Sequence, residues 1–184
     1  IFENHIKVQK IVTNLDKIFY DKKTILENIN LTFHTGKSYF LFGKSGSGKS
    51  SLLDCISGKN HEYQGEILIN NLNIKNYDLE KSIDTIGFSS QNDLLINSSI
   101  KENITFFKSN LNNDQINNII GDSKIDFLNS KLSIEDSIGH RGAKISAGQK
   151  QRILISRVLA KDSKILIFDE TTNSIDNKNE DIII

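Results

Sequence analysis

The chain has little or nothing of several common features, and each shortage removes a class of protein. Its single cysteine, Cys55, excludes an internal disulfide and fits a reducing compartment; a small buried helix residue is the role expected of it. No apolar run approaches the ~18 residues that a membrane-spanning helix needs, so any membrane role is expected to come through a partner. The start, Ile1 to Lys10, lacks the layout of a signal peptide. Methionine is absent, initiator included, which fits either processing or a segment belonging to a longer polypeptide. Lys plus Arg and Asp plus Glu both total 23, so no excess of positive charge marks a nucleic-acid binder. His5, His34, His61 and His140 are scattered without metal-ligand spacing. Repeats, linkers and low-complexity tracts are also missing.

What is there reads as one domain of ordinary size, 184 residues with 37% hydrophobic and 25% charged. Apolar and β-branched residues predict strands over 11–20, 26–33 and 38–42, separated by Asp21-Lys22-Lys23 and Thr35-Gly36-Lys37. A helix over 50–57, stopped by Gly58, follows a glycine-rich loop. Further strands are predicted at 65–69 and 85–89, and helices at 114–120, 124–129 and 149–159. Residues 164–168 form a short apolar run ending in acids, the pattern of a buried parallel strand. The expected architecture is α/β: a P-loop core with a mostly parallel sheet, an antiparallel β portion at the front and a helical insertion.

The glycine-rich loop carries the clearest chemistry. Gly43-Lys44-Ser45-Gly46-Ser47-Gly48-Lys49-Ser50 matches G-x-x-x-x-G-K-[ST], with Ser51 next along the helix. The glycines let the backbone turn sharply and aim N–H groups at phosphate oxygens, and the following helix adds its positive end. Lys49 is placed to reach the β- and γ-phosphates, and the Ser50 hydroxyl to ligate Mg²⁺. The strand 164–168 is expected beside the strand 38–42, delivering Asp169 to the Mg²⁺ shell. Glu170, next along, is then positioned to polarise a water that attacks the γ-phosphate.

Ile145-Ser146-Ala147-Gly148-Gln149, followed by Lys150-Gln151-Arg152 and an apolar helix, resembles the signature of ABC ATPases, normally Leu-Ser-Gly-Gly-Gln. Other motifs of that family follow in order over roughly Ile6 to Glu180. Tyr20 stands where an aromatic stacks on adenine. Gln91 resembles the glutamine that senses Mg²⁺ and the transport domain, and Asn173-Ser174-Ile175-Asp176 resembles the D-loop. Residues 92–104 and Asp136-Ser137-Ile138-Gly139-His140-Arg141-Gly142 resemble stretches of exporter cassettes, of the peptide, bacteriocin or multidrug type in overall texture.

The resemblance implies an ATPase that uses ATP and Mg²⁺. Glu170, Gln91 and Lys49 would be catalytic, and Ser50, Gln91 and Asp169 would attend the metal. Two cassettes, alike or different, would join head-to-tail, each P-loop facing the other's Ser146, Ala147, Gly148 and Gln149 across ATP. Transmembrane domains, expected in the same polypeptide, would be the further partner, and nucleic acid none. The place implied is the cytoplasmic face of a bacterial plasma membrane. Residues 1–184 would then be a partial nucleotide-binding domain: 1–90 the β portion and P-loop core, 91–160 the helical part, 161–184 the return to the core. The family's switch histidine is expected beyond residue 184, since no histidine follows His140.

Two positions depart from the pattern. Ala147 replaces a glycine, adding a methyl group where backbone approaches phosphate, and His140 replaces the usual glutamate in what is expected to be a loop. Rival readings fit less well, a non-catalytic regulatory subunit among them, since Lys49 and Glu170 are both present. A GTPase would use Asp136-Ser137-Ile138-Gly139 as its switch, but that tetrad does not end a buried apolar strand. A soluble ABC-type ATPase acting on ribosomes or DNA fits poorly with zero net charge and the exporter-like stretches.

Overall fold

A computed structural model describes residues 9–77, 85–90, 92–106, 108, 110–128 and 132–169. Gln91, Glu170 and the D-loop-like Asn173 to Asp176 lie outside the described residues. The chain divides into two units, Ile1–Ile86 and Gly87–Ile184.

The first unit grows from an antiparallel hairpin, β1 (Lys10–Tyr20) and β2 (Lys23–His34). Its two turn residues, Asp21 and Lys22, are left-handed with φ 50° and 63°, the hand that suits twisted strands joined by two residues. A second such turn, Asn70-Asn71 with φ 52° and 66°, joins β3 (Tyr63–Ile69) to β4 (Leu72–Asn73). The sheet order is β2-β1-β3-β4.

Alternation puts Ile11, Thr13 and Leu15 of β1 inside. The β1–β3 register then shifts between Leu15 and Lys17, so Ile18 rather than Lys17 returns to the core. The bulge requires glycine on the opposite strand. Gly65 has φ +100°, and a Cβ there would lie 2.2 Å from the Asn14 carbonyl oxygen.

Helix α1 (Lys49–Ile56) buries Leu52, Cys55 and Ile56, spaced three and four apart, and packs on β1 and β3. Gly58 ends it as predicted. With φ 77° it donates its N–H to Cys55 O at 3.1 Å, and Lys59 donates to Asp54 O at 2.9 Å. Cys55 is a buried helix residue, as expected, and burial with the nearby Asp54 carboxylate pushes its thiol up to about 12.

Residues 38–42 form no strand, contrary to expectation. Strand identity needs a ladder partner as well as apolar residues, and none runs along this segment among the described residues. Side chains organise it instead. The Tyr39 hydroxyl accepts from His34 N–H at 2.9 Å, and its ring meets Phe33 edge-on at 5.0 Å. Phe40 and Phe42 stack with centroids 6.0 Å apart, and Phe42 stays 87% exposed. With 38–42 not a strand, the predicted pairing of 164–168 beside it has no ladder to form.

In the second unit, β5 (Ile86–Ser89) and β6 (Ile165–Phe168) make a two-stranded sheet, extended by Asp169 N–H donating to Ser89 O at 2.9 Å. Among the described residues three helices accompany it: α2 (Ile100–Ile104), α3 (Asn113–Asp122) and α4 (Ala147–Ala160). Helix α4 packs against α2 and α3 over Ile100, Ile104, Ile119, Ile138, Ile153 and Leu154. Residues 124–128 are not helical, which corrects the prediction over 124–129. Lys124, left-handed at φ 53°, stops α3; it donates to Gly121 O at 3.2 Å while Ile125 donates to Ile120 O at 3.0 Å. The fold is thus mixed α/β with an antiparallel front. Among the described residues no helix is long and apolar enough to cross a membrane.

Candidate active site

The loop 43–48 leads straight into α1. Gly48 is the residue before the helix, left-handed at φ 88°, and it supplies no side-chain cap. Two constraints keep it glycine. Its φ disfavours other residues, and a Cβ would meet Leu26 Cγ at 2.8 Å and Ile25 Cγ2 at 2.9 Å. The loop therefore lies against β2 at Ile25 and Leu26. Leu26 is opposite Ile18 in the ladder, two residues before Tyr20. Tyr20, at the end of β1, is 67% exposed, so its ring is available to a ligand.

Lys49, the first helical residue, turns its ammonium back over the loop and donates to Gly43 O at 2.9 Å and Lys44 O at 3.0 Å. Ser47 N–H donates to Lys44 O at 3.1 Å and tightens the turn. Gly43 to Ser47 are exposed, and so is Ser50. The result is an exposed loop with a cation held against it and a helix start whose first donors no side chain caps. That is the chemistry of a phosphate site. Ser45, Gly46 and Ser51 lie along the same loop and first turn.

The signature-like residues lie in the second unit. The sequence placed the helix start near Gln149, but α4 begins at Ala147 and Ser146 caps it. Ser146 Oγ accepts from Gln149 N–H at 3.2 Å, and Gln149 Oε1 accepts from Ser146 N–H at 2.8 Å. This reciprocal pair is a capping box, whose S-x-x-Q pattern was present in the sequence but not read as a cap. Ser146 and Ala147 are exposed, with Gly148 and Gln149 half-buried. Ala147 stands in ordinary helical backbone, absent from the left-handed residues. Its methyl group therefore costs no backbone strain.

Asp169 follows β6 and is half-buried. Its carboxylate and the Ser50 hydroxyl are hard oxygen donors of the kind Mg²⁺ takes, and both are accessible enough to serve.

The two exporter-like stretches meet through main chain. Ile138 N–H donates to Ser98 O at 3.1 Å, Ile100 to Asp136 O at 3.2 Å, and Lys101 to Ile134 O at 2.9 Å. The Lys101–Glu135 ion pair, 2.9 Å long, closes the outer side. His140 opens a single 3₁₀ turn, His140–Gly142, within this connection.

Sequence reading did not single out Arg157. This residue of α4 is 7% exposed, and it donates to Asn103 O at 3.0 Å, Asn103 Oδ1 at 2.8 Å and Leu94 O at 3.0 Å. The available signal was periodicity: Arg157 follows the core residue Ile153 by four positions, on the same helix face.

Comparison with known proteins agrees with this arrangement of motifs. Residues 26–173 match the family model described as ABC transporter. Iron-sulfur clusters transporter ATM1, mitochondrial, of Candida glabrata is 34% identical over 168 residues, covering 90% of this chain and 23% of that protein. Microcin-J25 export ATP-binding/permease protein McjD of Escherichia coli is 31% identical over 179 residues, 97% of this chain and 31% of that one. The solved structure of a bacterial Atm1-family ABC exporter with ATP bound superposes with a TM-score of 0.88 at 26% identity, over 97% of this chain and 32% of that chain. The chain thus spans a quarter to a third of these relatives, and with its family model matched over most of its length it belongs to the ABC transporter family.

Proposed function

We propose that this chain binds Mg-ATP on residues 43–51 and hydrolyses it in a head-to-tail pair of cassettes, powering export by transmembrane segments of the same polypeptide. The carrying observation is the Lys49 ammonium, anchored on Gly43 O and Lys44 O beside a helix start that no side chain caps. Triphosphate oxygens replace those carbonyls as partners of Lys49 and take the free N–H groups of α1. Tyr20 offers its exposed ring to the adenine. Ser50, Asp169 and Gln91 would hold Mg²⁺, which would supply positive charge against that of the triphosphate.

Hydrolysis needs a water in line with the bond that breaks. Glu170 takes a proton from that water as the water oxygen bonds to the γ-phosphorus, and the bond from that phosphorus to the β–γ bridging oxygen breaks to release ADP. The signature of the second cassette completes the site. Ser146 Oγ accepts from Gln149, so its own O–H remains to donate to a phosphate oxygen. A membrane partner accords with the name of one relative, an export ATP-binding/permease protein. The exported substrate is selected by the membrane segments.

Two substitutions in the full-length protein test this. Lys49→Ala removes most Mg-ATP affinity, whereas Glu170→Gln keeps binding and slows turnover by about 10²-fold or more. Calorimetry and phosphate release read the two effects. Parental affinity in the first variant would sink the phosphate site, and parental turnover in the second would make Glu170 a bystander.

A further inference from the structure

Ser90 and Asp93 stand on either side of the position expected to sense the metal, and they are tied to each other three times. Asp93 N–H donates to Ser90 O at 3.2 Å. Ser90 N–H donates to Asp93 Oδ2 at 3.0 Å, and Ser90 Oγ donates to Asp93 Oδ1 at 2.9 Å. Both carboxylate oxygens are therefore committed to one residue.

The clasp is anchored at both ends. Ser89, just before it, is 1% exposed, and its carbonyl accepts from Asp169 N–H at 2.9 Å. Leu94, just after it, offers its carbonyl to Arg157 Nη1 at 3.0 Å. Arg157 also grips Asn103, whose Nδ2 donates to Ile96 O at 3.1 Å and whose Oδ1 accepts from Ile96 N–H at 2.9 Å. Burial pulls the Arg157 pKa down and the Asp93 charge pulls it back up, so the two groups sense each other.

We propose that Asp93 is a positioning residue: with Ser90 it ties together the residues that flank Gln91 in the sequence, and Arg157, through Leu94, fixes that clasp to the helix headed by Ser146. The proposal rests on the ATPase reading given above. Its physical content is that Ser90 and Asp93, tied to each other, hold their places before metal and water arrive, which favours rate more than affinity. A carboxylate suits the task because its two oxygens accept two bonds from one partner.

The test uses the full-length protein carrying Asp93→Ala, with Ser90→Ala as a milder variant that deletes only the Oγ bond. Mg-ATP affinity and the thermal midpoint are expected to stay near the parental values. Turnover should fall about tenfold in Asp93→Ala and less in Ser90→Ala, with the Mg²⁺ concentration for half-activation rising in the same order. Asp93→Asn, which keeps one acceptor oxygen, should recover part of both losses. Parental turnover and Mg²⁺ dependence in both alanine variants would overturn the clasp, as would an Asp93→Ala loss that only tracks a lowered thermal midpoint. A Lys49→Ala control separates the two levels: if parental hydrolysis does not depend on Lys49, the ATPase reading falls with it.

Discussion

Helix α1 and helix α4 both begin at residues expected to meet a phosphate, yet they begin in opposite ways. Gly48 leaves the first turn of α1 without a side-chain cap, while Ser146 and Gln149 close the first turn of α4 on itself. Helices α2 and α3 follow the second style, with Ser99–Glu102 and Asn112–Gln115 as reciprocal caps. The bare start is thus the exception among these four helices. A cap stabilises a helix by satisfying its free donors, and a phosphate does the same when it binds. α1 has no such permanent partner, which leaves its first donors open to a ligand. α4 keeps its cap, and Ser146 retains only the hydroxyl proton for a second partner.

The largest way to break this comparison is Gly48→Val. Left-handed backbone strain and overlap with Leu26 and Ile25 act together, so ATP binding should weaken by about tenfold to a hundredfold. Isothermal titration reads it, and unchanged affinity would mean the loop reforms with another backbone path. Next is Ser146→Ala, which removes a cap without touching the loop in the first unit. It should cost about 1 kcal/mol in urea unfolding and lower turnover while leaving Mg-ATP affinity intact. A loss of affinity instead would place Ser146 at the primary nucleotide contact. The smallest effect is expected from Ala147→Gly. Restoring the family residue should destabilise the first turn by roughly 0.5 kcal/mol, because glycine loses more freedom on entering a helix. A variant more stable than the parent would show that the methyl group is strained after all.

What could be read from the sequence divides by physical cause. The hairpin of β1 and β2 was legible because its alternation and turn are local. The loop 43–50 was legible because glycine spacing is itself the mechanism. Helix α4 was placed two residues late, since Ser146 was read as a ligand contact and its capping role was overlooked. Helix α2, only five residues long, carries too little periodicity to stand out. The false helix over 124–129 has a plainer cause. Lys124 adopts the left-handed conformation where glycine usually announces a stop, and Asp162, φ 58°, does the same after α4. The strand predicted at 38–42 failed on its partner, which composition cannot reveal. Arg157 was passed over because one charge within an apolar helix reads as a surface residue until its acceptors are seen.

The pairing of 98–101 with 134–138 has a consequence for which substitutions the protein tolerates. Its hydrogen bonds join main chain to main chain, so they make no demand on side-chain chemistry. Variation there should be filtered by direction alone: Ile100 and Ile138, both 0% exposed, accept only apolar residues of similar volume. The outward residues Lys101 and Glu135 are free to exchange charge, lengthen or disappear at little cost. Two stretches more than thirty positions apart can thus keep one shape through long sequence drift, and a library randomised at those outward positions would return mostly folded protein.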